Sequence, residues 1–246
     1  MIIAPVRHGL VGVDVVDPLV HAFPHTARVE RFLRRVLGDE ERAAVAVAAH
    51  PDAALWRLWA AKEAAFKVVS KLCGSPPPFV HPAFRVHPAA AGSAEGGGIV
   101  TWRELSVHIR WHEQSDQLAA LGWDRPAVPE RIDWGWGTVG ELDPVPNKPL
   151  DALLERLGEG ERDAVHSRAS ALVRLAARTA LATALDIAED RITLICAEGP
   201  RGRTPPVVYV DGLPVPVDVS LSHHGRWLAW AIRLSRPRPP GTVDPD

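Results

Sequence analysis

From Leu55 to Lys71 apolar side chains recur at helical spacing. Wound at 3.6 residues per turn, the stretch W-R-L-W-A-A-K-E-A-A-F-K-V-V-S-K places Leu55, Leu58, Trp59, Phe66 and Val69 on one stripe. Lys62 falls in the middle of that stripe, Glu63 lies at its edge, and Lys67 sits one turn further on beside Glu63. Two readings fit. In one, Lys62 snorkels and Glu63–Lys67 is an ordinary i,i+4 surface pair. In the other, the apolar face borders a cleft and presents Lys62 and Glu63 into it.

The pattern elsewhere divides the chain. Residues 9–16 read as a strand closed at Asp17-Pro18, and Asp14 lies inside its apolar run. A buried strand does not ordinarily carry a carboxylate unless it is paired or bound to a metal. Helical periodicity follows over Thr26–Leu37, Asp39–Ala49 and from Asp52, as N-cap, to Gly74. Short β-branched and aromatic runs at Phe79–His87, Ile99–Glu104, Ser106–Trp111 and Gln117–Trp123 predict antiparallel strands, with Ala89–Gly98 as a hairpin loop. Asp124–Pro149 is rich in proline and without sustained periodicity, which predicts a linker whose Trp134 and Trp136 either dock on a lobe, the reading favoured, or mark a recognition surface. Beyond it, Leu150–Leu157 and Ser170–Leu185 read as helices, the latter apolar nearly all round with Arg174 and Arg178 on one side. Strands follow at Ile192–Ala197 and Val207–Val210, then two more joined by the turn S-L-S-H-H-G-R-W. The layout is α+β, with lobes at 1–124 and 150–236, a linker at 125–149 and a tail at 237–246.

Composition narrows the classes. The chain has 246 residues, 46% hydrophobic and 24% charged, which suits a folded globular protein. A net charge of −2 leaves no electrostatic footprint for nucleic acid or an anionic membrane. Cys73 and Cys196 are far apart, with neither metal-ligand spacing nor a disulfide framework. No apolar run has the length of a membrane span and the N-terminus lacks a signal-peptide layout, so a reducing cytoplasm is expected.

The pairing of G-V-D-V-V-D (Gly12–Asp17) with W-A-A-K-E-A-A-F-K (Trp59–Lys67) resembles the 4′-phosphopantetheinyl transferase superfamily. Residues 150–232 resemble the N-terminal half of its larger, surfactin-synthetase-activating type, through the Arg-containing helix, the turn at Gly202-Arg203 and S-L-S-H-H-G-R-W. The resemblance implies a two-lobed pseudodimer, each lobe a small antiparallel sheet packed on a long helix, that acts as a monomer. It implies transfer of the 4′-phosphopantetheine arm of coenzyme A to a serine of an acyl or peptidyl carrier protein. Asp14 and Glu63 would hold Mg²⁺, with Lys62 on the same phosphates and Lys67 nearby. Ser222 and His223 would contact the adenosine 3′-phosphate, with Arg174 and Arg203 as further phosphate contacts. Glu63 would accept the serine proton.

The sequence departs from that pattern twice. The halves stand in reversed order, as in a circular permutation. Val16 stands where the larger type usually has a second acid, and Asp17, one residue on, points away from Asp14 in a regular strand. Val16 is the feature that favours a competing reading, a relative that binds coenzyme A or a carrier protein without turnover.

Overall fold

The computed structural model describes residues 9–20, 26–88, 97–114, 116–124, 132–143, 149–199 and 202–234; in the second stretch side chains are described from residue 30. Most of the expected 89–98 loop and the whole of the 237–246 tail lie outside these residues.

The first lobe runs β1 (Val11–Val16), α1 (Thr26–Val36), α2 (Asp39–Ala46), α3 (Pro51–Leu72), β2 (Arg85–Pro88), β3 (Gly97–Trp102), β4 (Leu105–Gln114) and β5 (Gln117–Trp123). Its five strands form an antiparallel sheet in the order β1-β5-β4-β3-β2. The side of α3 that meets the sheet is made of small residues. Ala60, Ala61, Ala64, Ala65 and Val68 are fully buried, whereas Leu58, Trp59 and Phe66 from the expected stripe are only partly covered. Small residues let the helix backbone come down onto the strands, and Gly12 is required for this. A Cβ on Gly12 would stand 2.1 Å from the carbonyl oxygen of Ala64.

The second lobe runs β6 (Ile132–Thr138), α4 (Leu150–Leu154), α5 (Glu159–Arg162), α6 (Arg168–Leu185), β7 (Ile192–Ile195), the two-residue strands β8 (Glu198–Gly199) and β9 (Gly202–Arg203), β10 (Val207–Val210), β11 (Leu213–His224) and β12 (Trp227–Leu234). Its main sheet has the order β6-β12-β11-β10-β7, the same arrangement as the first. The expected linker is therefore corrected. Ile132–Thr138 is a strand paired along β12, and the W-G-W-G alternation that hid it is a half-buried strand with glycines facing neighbouring side chains. Trp134 and Trp136 dock, as expected, on an apolar cluster shared by β1, β5 and β12.

The two lobes repeat one buried motif. In L-G-D-E-E-R (Leu37–Arg42), Glu41 accepts the N–H groups of Gly38 (2.9 Å) and Val86 in β2 (3.1 Å) and pairs with Lys62 of α3 (2.5 Å). In L-G-E-G-E-R (Leu157–Arg162), Glu161 accepts Gly158 (2.9 Å) and Leu194 in β7 (2.9 Å) and pairs with Arg178 of α6 (3.5 Å). Each pair ties a short helix, the long helix and the last strand of its sheet together.

The lobes join along the free edge of β1. Its outward N–H groups at Val11, Val13, Val15 and Asp17 donate in turn to Asp218 Oδ2 (2.7 Å), Ser220 Oγ (3.0 Å), Ser222 Oγ (3.3 Å) and His224 Nδ1 (2.9 Å) of β11. Two outward carbonyls are taken by α3, Val11 by Lys71 Nζ and Val13 by Lys67 Nζ, both at 2.7 Å. Side chains thus satisfy an edge that another strand would otherwise satisfy. At its start, Asp124 Oδ1 accepts Leu10 N–H (2.8 Å) and Arg233 Nη1 (3.3 Å), and Gly9 packs on the Arg233 guanidinium.

Candidate functional site

Alternation along β1 turns Asp14 toward α3 while Val13 and Val15 enter the core between the lobes. Asp14 Oδ1 receives Lys67 Nζ (3.0 Å) and the Ser222 hydroxyl (2.8 Å). Among the described residues no hydrogen bond reaches Oδ2. Burial pushes the Asp14 carboxyl up to about 6; Lys67 opposes this, and the nearby Glu63 charge adds to it. Glu63, one turn before Lys67 on α3, has His81 Nε2 at 3.4 Å from its Oε1 as its one polar contact among the described residues. The His81 ring is fixed between Phe79 (4.0 Å) and Trp59 (4.7 Å).

A cavity of about 330 Å³ opens beside this cluster, between α3 and the second lobe. Lys67, Lys71, Arg174, Arg203 and His223 line it, with Phe66, Pro76, Pro205 and Pro206 as apolar walls. Lys71 is fully engaged, with Asp218 Oδ2 (2.8 Å) and the carbonyls of Val11 and Val219 as acceptors. Lys67 uses two donors and keeps a third. Arg174 is only 7% exposed and donates to Ser170 O (3.2 Å), Ser170 Oγ (2.8 Å) and Cys196 Sγ (3.7 Å). Its Nε has no partner, and no carboxylate lies within ion-pair distance among the described residues. Burial, then Lys67, Arg174 and His224, hold His223 below the ordinary histidine range. Such a lining favours an anion, because a buried guanidinium without a counter-charge is costly to leave unpaired.

Asp14, Glu63 and Lys67 thus come together, and Arg174, Arg203 and His223 meet across the cavity from Lys67. Two residues expected at the phosphates stand elsewhere. Lys62 is fully buried on another face of α3, its three donors taken by Glu41, Val36 O (3.0 Å) and His81 O (3.2 Å). Its position in the apolar stripe reflects an ion pair inside its own lobe, neither snorkelling nor a cleft. Ser222 is buried on Asp14 and β1 and does not line the cavity, whereas its neighbours Ser220 and His223 do. Asp17 does face away from Asp14. It accepts Leu19 N–H (3.1 Å) and Arg226 N–H (3.3 Å) and presses on Gly225, whose φ of +56° suits the turn. Val16 packs in the core of the first lobe, so its position supplies no acid.

Sequence reasoning missed Asp218, His81 and Cys196, and it gave Lys71, one of the chain's few lysines, no partner. The two-residue alternation Asp218-Val-Ser220-Leu-Ser222, polar at every second position opposite an apolar β1, was the available signal for the junction. For His81 there was none, since its partners lie on a separate helix.

The oxygen donors present fit a small hard cation. Asp14 Oδ2 and the Glu63 carboxylate are both little engaged, and the Glu63 charge raises the cost of ionising Asp14, which a cation between them relieves. No group of three or more His, Cys, Asp or Glu side chains gathers among the described residues. Two carboxylates with water and phosphate oxygens is the usual set for Mg²⁺. Among the described residues no helix is long and apolar enough to cross a membrane.

Residues 10–122 match the family model of the 4′-phosphopantetheinyl transferase superfamily, a span that covers β1 to β5 and leaves the second lobe outside it. No curated protein matches the chain.

Proposed function

We propose, with the match over residues 10–122 as premise, that this protein transfers the 4′-phosphopantetheine arm of coenzyme A to a serine of an acyl or peptidyl carrier protein. The observation that carries this reading is Lys67. One ammonium group pairs with the buried Asp14 and also lines a cationic cavity built by the second lobe. The unmatched lobe therefore completes the matched one at a site suited to a polyanion.

The two halves are those of the surfactin-synthetase-activating type in permuted order. The packing of Gly9 on Arg233 supports this, because it sets the end of the second lobe beside the start of the first. Arg174, Arg203 and His223 hold the adenosine 3′-phosphate side of coenzyme A, and the spare donor of Lys67 reaches the pyrophosphate. Ser222 acts on Asp14 by orienting its carboxylate. Mg²⁺, when bound by Asp14 and Glu63, supplies charge neutralisation at the pyrophosphate. The serine oxygen attacks the β-phosphorus of coenzyme A, Glu63 takes its proton, and adenosine 3′,5′-bisphosphate leaves. The protein works as a monomer in the cytoplasm.

The test is intact-mass analysis of apo carrier proteins after incubation with the protein, coenzyme A and Mg²⁺. The expected outcome is the phosphopantetheine mass increase, lost on omission of Mg²⁺ and lowered about a hundredfold or more in Glu63→Gln, as for loss of a group acting on the transferring phosphate. Unmodified carrier proteins alongside retained coenzyme A binding would favour the non-catalytic relative instead.

A further inference from the structure

We propose that Cys196 is a modification site in the wall of the cationic cavity, and that a mixed disulfide formed there with a small anionic disulfide such as glutathione disulfide closes the cavity to its ligand. The inference rests on the phosphate-binding role given to that cavity above. Cys196 follows β7 where the chain turns toward the β8–β9 hairpin, and its side chain lines the cavity together with Arg174 and Arg203. Arg174 Nη2 is 3.7 Å from its sulfur, and Arg203 Nη1 donates to its carbonyl oxygen (3.4 Å). It is a free thiol, only 9% exposed, and Cys73, the other free thiol, is exposed and does not line the cavity.

A second feature points to a ligand at the same place. The Arg174 guanidinium, nine-tenths buried, has an unpartnered Nε and no carboxylate within ion-pair distance among the described residues. The contact to sulfur is long, so Cys196 is a poor substitute for an anion that would sit against Arg174. An anion that replaced that contact would sit beside the sulfur. An anionic disulfide that enters the cavity meets the same guanidinium groups, which bring its S–S bond to Cys196.

The exchange balances. Cys196 releases its proton to solvent, its sulfur attacks one sulfur of glutathione disulfide, and the S–S bond of the reagent breaks. One glutathione stays on Cys196 and the other leaves as a thiolate that takes up a proton. The oxidant is the small disulfide itself. A tripeptide on Cys196 occupies much of a cavity of about 330 Å³ and adds carboxylates to the side where a phosphate would bind. A thiol reductant reverses the step.

The experiment uses the full chain with Cys73→Ser, so that Cys196 is its only thiol. The protein is incubated with glutathione disulfide, and intact mass is followed alongside binding of adenosine 3′,5′-bisphosphate by calorimetry. The expected result is a single glutathione adduct, at least tenfold weaker bisphosphate binding, and recovery of binding with dithiothreitol. Saturating bisphosphate should slow adduct formation at least tenfold, and the bisphosphate affinity of Cys73→Ser/Cys196→Ser, whatever its starting value, should not change on exposure to the disulfide. Absence of an adduct, an adduct that leaves binding unchanged, or labelling at the same rate with bisphosphate bound would overturn the proposal alone. If untreated protein does not bind the bisphosphate, the phosphate assignment of the cavity falls and this inference with it.

Discussion

At the scale of single residues, Asp14 shows a site held against its own stability. Its native carboxyl titrates at about 6 against 3.8 for an ordinary aspartate, so the folded chain holds that proton more tightly than the unfolded one. Stability then falls as pH rises from near 4 to above 6, and the shift corresponds to roughly 3 kcal/mol. In metal-free buffer Asp14→Asn should melt above the parent at pH 8, and the gap should shrink as pH drops through 6 toward 4. Thermal melts of the two proteins across that range decide it; a variant less stable than the parent at pH 8 would show that Lys67 and Ser222 outweigh burial. Lys62 makes the opposite point. Its placement in an apolar stripe was legible, but its partner was not, because Glu41 lies on a separate short helix and only the folded chain brings it within 2.5 Å. The same holds for Ser222, which the turn motif placed at the right tip but which the two-residue alternation of β11 turns toward β1.

At the scale of elements, periodicity located nearly every helix and strand, and missed those whose pattern carries small residues. The expected stripe on α3 weighted large side chains, yet the surface that meets the sheet is alanine, opposite Gly12 and Gly122. Close approach is what sets Glu63 and Lys67 beside Asp14, since a helix one methyl higher would lift both. Gly12→Ala should therefore cost roughly 1–3 kcal/mol, as for an extra methyl group forced into a packed core, and should lower divalent-ion affinity together with stability. The clash is with the backbone oxygen of Ala64, so Ala64→Gly should not restore the variant. Chemical denaturation of the single and double variants measures this; rescue by Ala64→Gly would mean that the helix rests on side chains. β6 was lost for a related reason. Its tryptophans and glycines alternate between prolines, and a strand bounded by proline-rich segments reads as a connection until a partner strand is seen.

At the scale of the whole molecule, the lobes share one strand order and one buried acid–cation motif, and they differ where the chemistry lies. Lys67 in α3 has Thr183 in the last turn of α6 as the residue five positions after the motif cation, and Glu63 has Thr179. One lobe keeps charged groups there and the other does not, so the repeat yields a single site. Because β6 opens the second lobe, the connection between lobes reduces to residues 125–131. A re-permuted chain starting at Ile132, running past Leu234, joined by a few residues to Gly9 and ending at Asp124 should fold and keep the parent's activity. Circular dichroism and the carrier-protein assay test this; an unfolded product beside a stable parent would sink the permuted reading of the halves. The junction on which both arrangements depend has a further consequence during synthesis. The rungs from β1 to β11 link residues 207 positions apart, so the edge of β1 is completed only long after that strand is made. At about 5–20 residues per second the ribosome leaves that edge bare for roughly 10–40 s. In that interval nascent chains are held back from one another only by chaperones and by how sparsely they are made, and placing β11 ahead of β1 in the gene would close the interval almost entirely.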